Sequence, residues 1–117
     1  MDSNEVLDLA ALRKERLSAV TFVADYVQLH FDGPVLTAVT QPSVIVSDER
    51  FGWETPCFKD KLCSFILVDV RNTVVIPDEV VRIEFSNGDR IEISIRRSDY
   101  RAGEAILFDD GKNYWVV

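Results

Sequence analysis

From residue 17 onward, apolar and polar side chains alternate along most of the chain. A period of two places alternate residues on opposite faces of a strand, so each such run reads as a strand with one buried face. The pattern predicts strands over 19–23, 26–31, 35–40 and 43–46, and again over 68–75, 80–86, 89–95, 105–108 and 114–117. Turn residues separate them, most plainly Asp32-Gly33-Pro34. Residues 47–55 are polar and read as a loop. Two stretches break the alternation. Residues 4–14 place Val6, Leu9 and Ala10 on one stripe, with Glu5 and Asp8 early and Arg13, Lys14 and Arg16 late, which suits a helix dipole. Residues 59–66 predict a second short helix.

One hairpin can be read to its register. Val81, Ile83 and Phe85 alternate with Arg82 and Glu84, and beyond Asn87-Gly88 the residues Ile91 and Ile93 alternate with Arg90 and Glu92. A two-residue Asn-Gly turn would pair Phe85 with Arg90 and mix apolar and charged groups on each face. A three-residue loop, Ser86-Asn87-Gly88 with Gly88 left-handed, removes the conflict. It pairs Val81 with Ile93 and Ile83 with Ile91 on one face, and Arg82 with Glu92 and Glu84 with Arg90 on the other.

A shift of 54 residues lays 25–31 on 79–85. One further residue then sets Leu36, Ala38 and Thr40 on Ile91, Ile93 and Ile95, while the original shift sets Leu9 and Leu12 on Cys63 and Ile66. The chain thus reads as two pseudo-repeats, about 4–46 and 58–108, each a short helix followed by strands. The expected fold is α+β in one domain over 1–117: a mainly antiparallel β sandwich or half-barrel around a pseudo-twofold core.

Residues 20–31 (Val27, Leu29 and Phe31 alternating), Ile83-Glu84-Phe85-Ser86-Asn87-Gly88, and Tyr100-Arg101-Ala102-Gly103-Glu104-Ala105 carry a resemblance. With the tryptophan of the last strand, they resemble a family of small β-rich bacterial proteins grouped as domains of unknown function. The match spans most of residues 17–117. It implies a β-rich fold and a bacterial source; it implies no activity and supplies no site residues.

Charge narrows the partners. The net charge is -7, and residues 1–60 hold ten acids against five bases. Such a chain repels a phosphate backbone and suits a basic partner, so nucleic acid is not expected. No apolar run reaches the ~20 residues of a membrane helix, and the acidic start Met1-Asp2-Ser3-Asn4-Glu5 does not read as an export signal. A cytoplasmic protein with Cys57 and Cys63 reduced is the expectation.

Little in the sequence points to catalysis. Cys57, Cys63 and the single histidine, His30, do not have zinc-ligand spacing, and Cys63 reads as a packed thiol. No phosphate-binding glycine loop or nucleophile elbow is present. Asp109-Asp110 before Gly111 reads as a turn. No catalytic residue, metal or cofactor is therefore assigned.

Two patches remain as candidates for binding. In 47–55, Phe51 and Trp53 stand among Asp48, Glu49 and Glu54. Either Trp53 folds back as a latch on the core, or the aromatics anchor a partner steered by the acids. Arg96, Arg97 and Arg101 form a basic cluster that suits an anion or protects a strand end. The leading expectation is a non-catalytic protein-binding or accessory protein of a bacterial cytoplasm, in one version an immunity-type protein that neutralises a basic toxin domain. The alternative is a small ligand-binding or enzymatic domain with a site assembled from scattered residues.

Overall fold

The computed structural model describes residues 7–117. Ten strands form two five-stranded sheets. The strands are β1 (Ala19–Val23), β2 (Tyr26–His30), β3 (Val35–Ala38), β4 (Ser43–Val46), β5 (Glu49–Phe51), β6 (Val70–Ile76), β7 (Val80–Phe85), β8 (Arg90–Ser94), β9 (Ile106–Asp109) and β10 (Tyr114–Val116). One helix, α1 (Phe58–Cys63), precedes β6. Every strand pair is antiparallel. The arrangement is compatible with a β sandwich.

The first sheet runs β1-β2-β3-β9-β10 and the second β5-β4-β8-β7-β6. Each is a three-strand meander completed by the hairpin that follows the other meander in the chain. Ahead of β1 and β6 the two halves also touch directly. Arg16 and Asp69 form an antiparallel bridge, Val70 N–H donates to Glu15 O (2.7 Å), and Leu67 N–H donates to Leu17 O (2.7 Å).

The inward side chains follow the alternation. Val27, Leu29, Phe31, Leu36, Ala38, Ile106 and Phe108 come from the first sheet, and Val44, Val81, Ile83, Phe85, Ile91 and Ile93 from the second; all are fully buried. The β7–β8 register is the one read from the sequence: Val81 opposite Ile93, Arg82 opposite Glu92, Ile83 opposite Ile91 and Glu84 opposite Arg90. Gly88 takes φ +90°, which its missing Cβ permits.

Three expectations are corrected. The helix over 4–14 is a 3-10 turn at Ala10–Leu12 among the described residues; positions 4–6 lie outside them. Leu7, Leu9 and Leu12 are all buried, a spacing no single helical stripe provides, and Lys14 at φ 69° ends the turn. The loop over 47–55 begins as a hairpin. Ser47 and Asp48, at φ 52° and 67°, make a two-residue turn with mirror-type twist, and β5 pairs back on β4. Cys63 is exposed rather than packed, as is Cys57. The segment through α1 buries Phe58, Leu62 and Phe65, one residue out of phase with Cys63 and Ile66.

Phe85 is fully buried and its ring lies 4.6 Å from that of Phe65. Phe85→Ala should lower the unfolding free energy by ~3–5 kcal/mol in denaturant titration. An unchanged melting temperature would contradict this packing.

Candidate functional site

The two outer faces differ in one property, charge. On the first sheet, Ala19, His30, Val35, Asp109 and Tyr114 form one transverse rank, and Thr21, Gln28, Thr37, Leu107 and Val116 the next. Asp109 alone among these is charged, and it stands near the end of its rank. On the second sheet the corresponding ranks are Arg50, Ile45, Arg90, Glu84 and Asn72, then Ser43, Glu92, Arg82 and Val74. The hairpins β2–β3 and β7–β8 make the contrast sharp. Where β7–β8 sets Arg82 against Glu92 and Glu84 against Arg90, β2–β3 sets Gln28 against Thr37 and His30 against Val35.

The charged face is cross-linked by ion pairs, and it has a depression of its own, of about 310 Å3, lined by Ser43, Arg50, Glu92, Ser94 and Arg96. Glu92 accepts from Arg50 Nη2 at 2.8 Å, from Arg82 Nε at 3.1 Å and from Arg90 Nε at 3.3 Å, and its side chain is only 12% exposed. Burial alone raises the carboxyl's pKa. The hydrogen bonds from Arg50, Arg82 and Arg90 together outweigh it, so the carboxyl sits below its ordinary value. Arg71 adds a longer contact to Glu84 at 4.0 Å. The pairs hold the Glu92 carboxylate in place and neutralise its charge.

The uncharged face is open and hollowed. Gln28, Thr37 and Leu107 form a shared floor beneath two adjoining depressions, of about 360 and 430 Å3. One extends toward Tyr26, Val39 and the 101–104 segment, the other toward His30, Val35 and Tyr114. The His30 ring is held by Thr21, with Oγ1 to Nε2 at 3.1 Å. Tyr114 and Val116 are each 59% exposed, unusual for large apolar side chains. Acids stand at both ends of the strands. Asp32 and Asp110 occupy the turns beside His30 and Tyr114, with Asp109 at the end of β9, and Asp25 and Glu104 stand at the other end of the strands. Backbone N–H groups of Asn113 (2.6 Å) and Lys112 (2.8 Å) donate to Asp110 and hold its carboxyl below the usual range.

The patches read from the sequence meet in an unforeseen way. Trp53 packs against Phe58 with centroids 5.4 Å apart and edge-on to Phe22 at 6.1 Å. The amide of Gln41, turned so that its oxygen meets its donors, accepts from Trp53 Nε1 at 3.2 Å and from the Arg101 guanidinium. Arg101 in turn donates to Asp25 Oδ2 (2.8 Å) and to Asp25 O (3.1 Å). Trp53 and Arg101 thus belong to one polar network at an end of the molecule, and Trp53 has the contacts of a latch. Phe51 is partly buried beneath Lys61, whose Nζ lies 5.2 Å from the ring. Asp48, Glu49 and Glu54 are exposed. The arginines separate: Arg96 pairs with Glu79 at 3.3 Å, Arg101 pairs with Asp25, and Arg97 lies exposed in the short 3-10 turn between them.

Reading the sequence missed Tyr26, Gln28, Thr37, Leu107 and Tyr114 as a joint surface. The 54-residue shift held the signal, because it lays Gln28 and His30 on Arg82 and Glu84. Among the described residues no three of His, Cys, Asp and Glu converge as metal ligands would.

Two measurements follow from these contacts. Trp53→Ala should cost ~2 kcal/mol or more through lost ring packing, lowering the melting temperature by several degrees. Glu92 contributes stability that is complete above its ordinary value of 4.5 and disappears as pH falls through the depressed folded one. Urea midpoints measured across that acid range should fall for the native chain and fall less steeply for Glu92→Gln.

Among the described residues no helix is long and apolar enough to cross a membrane. No protein-family model matches the chain, and no curated protein or solved structure is significantly similar to it.

Proposed function

We propose that this chain is a non-catalytic binding protein that docks a protein partner with a basic surface on the outer face of the first sheet. The observation that carries this reading is the missing charge lattice. At the register positions where β7–β8 spends its charges on internal pairs, β2–β3 places the uncharged Gln28, His30, Val35 and Thr37 on its outward phase, with Thr37 nearly buried. An uncharged centre that mixes Val35, Leu107, Tyr26 and Tyr114 with Gln28, His30 and Thr37, inside an acidic rim, suits a partner with a basic surface. The net charge of -7, with Asp48, Glu49 and Glu54 exposed elsewhere, would speed the approach of a cationic partner. An immunity-type protein of a bacterial cytoplasm, holding a basic toxin domain, is one concrete form of this reading. Kinship with the small β-rich bacterial family is proposed with it.

We further propose that the fold is a duplication with exchanged hairpins. The order helix or turn, three-strand meander, hairpin occurs twice, and each hairpin completes the other repeat's sheet. Arg16 bridges Asp69, so the entry segments of the two repeats meet nearly residue for counterpart, as a pseudo-twofold axis requires. The hairpin turns Ser47-Asp48 and Gly111-Lys112 occupy matching places, each between a paired strand and its return. The long connection 95–105 between β8 and β9 has only 39–42 as its counterpart and breaks the symmetry.

Selection of short peptides from a displayed random library tests the docking reading. Basic peptides should be enriched on the native chain, and their amide shifts should map to His30, Thr37, Leu107 and Tyr114. A variant carrying the other face's pattern, Gln28→Arg, His30→Glu, Val35→Arg and Thr37→Glu, should fold and lose them. Equal binding by both would overturn the reading.

A further inference from the structure

The connection 95–105 runs beside the first sheet's outer face and converts part of it into a cavity. Its floor is Gln28, Thr37, Val39 and Leu107; Tyr26 forms one wall, and Arg101, Ala102 and Glu104 the other. At about 360 Å3 it falls within the ~300–1,000 Å3 of small-molecule sites. Two acids, Asp25 and Glu104, and one base, Arg101, line it.

Which sign of charge it receives depends on which of these groups is free. Arg101 is committed: its guanidinium binds the Asp25 carboxylate at 2.8 Å, the Asp25 carbonyl at 3.1 Å and the Gln41 amide. An incoming anion would have to displace a carboxylate already seated on it. Asp25 is neutralised by the same pair. Glu104 is the remaining group. It is partly buried, and among the described residues its carboxylate has no ion-pair partner. The cavity therefore carries one uncompensated negative charge beside an aromatic ring and an apolar floor. That combination fits an aliphatic stem ending in a cation. The stem lies on Val39 and Leu107, the cation meets Glu104, and the face of Tyr26 adds a cation–π contact.

We infer that this cavity is the receptor for a single arginine or lysine side chain of the partner, inserted between the 101–104 segment and the sheet. The inference rests on the docking reading and specifies the partner's anchor residue. The hydrogen-bonding groups of Gln28 and Thr37 on the floor, whose side chains approach at 3.5 Å, favour the planar, many-donor guanidinium over the compact ammonium.

The test uses the intact chain and small probes, followed by amide chemical shifts. N-acetyl-arginine methylamide should bind saturably and shift Tyr26, Gln28, Leu107 and Glu104. N-acetyl-norleucine methylamide, which keeps the stem without the cation, should bind at least about tenfold more weakly, since Glu104 would then have no counter-charge. Glu104→Gln should bring the arginine probe down to the level of the neutral one at unchanged melting temperature. Leu107→Lys, which places a tethered cation in the cavity, should compete the probe out and gives a second reading of the same site. Shifts produced at these residues by phosphate or acetate would overturn the inference in favour of an anion site at Arg101. Equal binding of the neutral probe would overturn it in favour of a plain apolar groove. If the arginine probe fails while selected peptides still shift His30 and Tyr114, the anchor assignment alone falls. If both fail, the docking reading falls with it.

Discussion

Neither sheet can be built from a contiguous stretch of chain. β1-β2-β3 ends in an exposed edge at β3 until β9-β10 arrives from the far end of the sequence, and β6-β7-β8 depends in the same way on β4-β5. A three-strand meander has one apolar face and two open edges, too little to stand alone as a core. Burial of the central side chains is therefore possible only when both meanders and both hairpins are in place together. Leu36 of β3 lies opposite Phe108 of β9, and Val44 of β4 opposite Ile91 of β8. These pairings are long-range in sequence, so the loop-closure entropy of most of the chain must be overcome before they are rewarded. Cooperative and comparatively slow folding is the physical corollary.

Shared architecture with different outer faces allows a division of labour. The Arg50, Arg82 and Arg90 cluster around Glu92 ties three strands together laterally, so the second sheet gains rigidity from its exterior as well as its core. The first sheet forgoes that reinforcement. Its outer side chains form no ion-pair lattice: Gln28 and the nearly buried Thr37 meet only each other, and Tyr114 and Val116 stand exposed. Stability is reinforced where charges are paired; the proposed docking face is the one where they are missing. The Trp53, Gln41, Arg101 and Asp25 network ties the connection that walls the cavity to the core, so residues outside the cavity set its geometry.

The strands and the β7–β8 register were legible because error there would bury charge. A one-residue slip of Val81 against Ile93 puts Arg82 and Glu84 into the core, and the Asn87-Gly88 turn selects among the registers that avoid it. The hairpin at Ser47-Asp48 was illegible for the opposite reason. Its left-handed backbone is held by two residues with Cβ atoms, so no glycine marks it, and the polar sequence looked like a loop. The position of Cys63 was lost to a phase error of one residue in a helix too short to show its period. The candidate face could not be read directly because it requires β9 to lie beside β3, a contact without a local signature. Half of it was nonetheless visible in the repeat, at the positions where Gln28 and His30 replace an arginine and a glutamate.

The ion-paired face has a consequence beyond rigidity. Within the face, Arg50, Arg71, Arg82 and Arg90 outnumber Glu84 and Glu92. The turns around the same sheet, however, hold Asp48, Asp78, Glu79 and Asp89, and Asp69 stands at the entry to β6. The arginine excess is therefore balanced by its own border. A charge farther off than about one Debye length, ~8 Å at physiological ionic strength, senses the molecule's overall charge of -7 rather than the arginines.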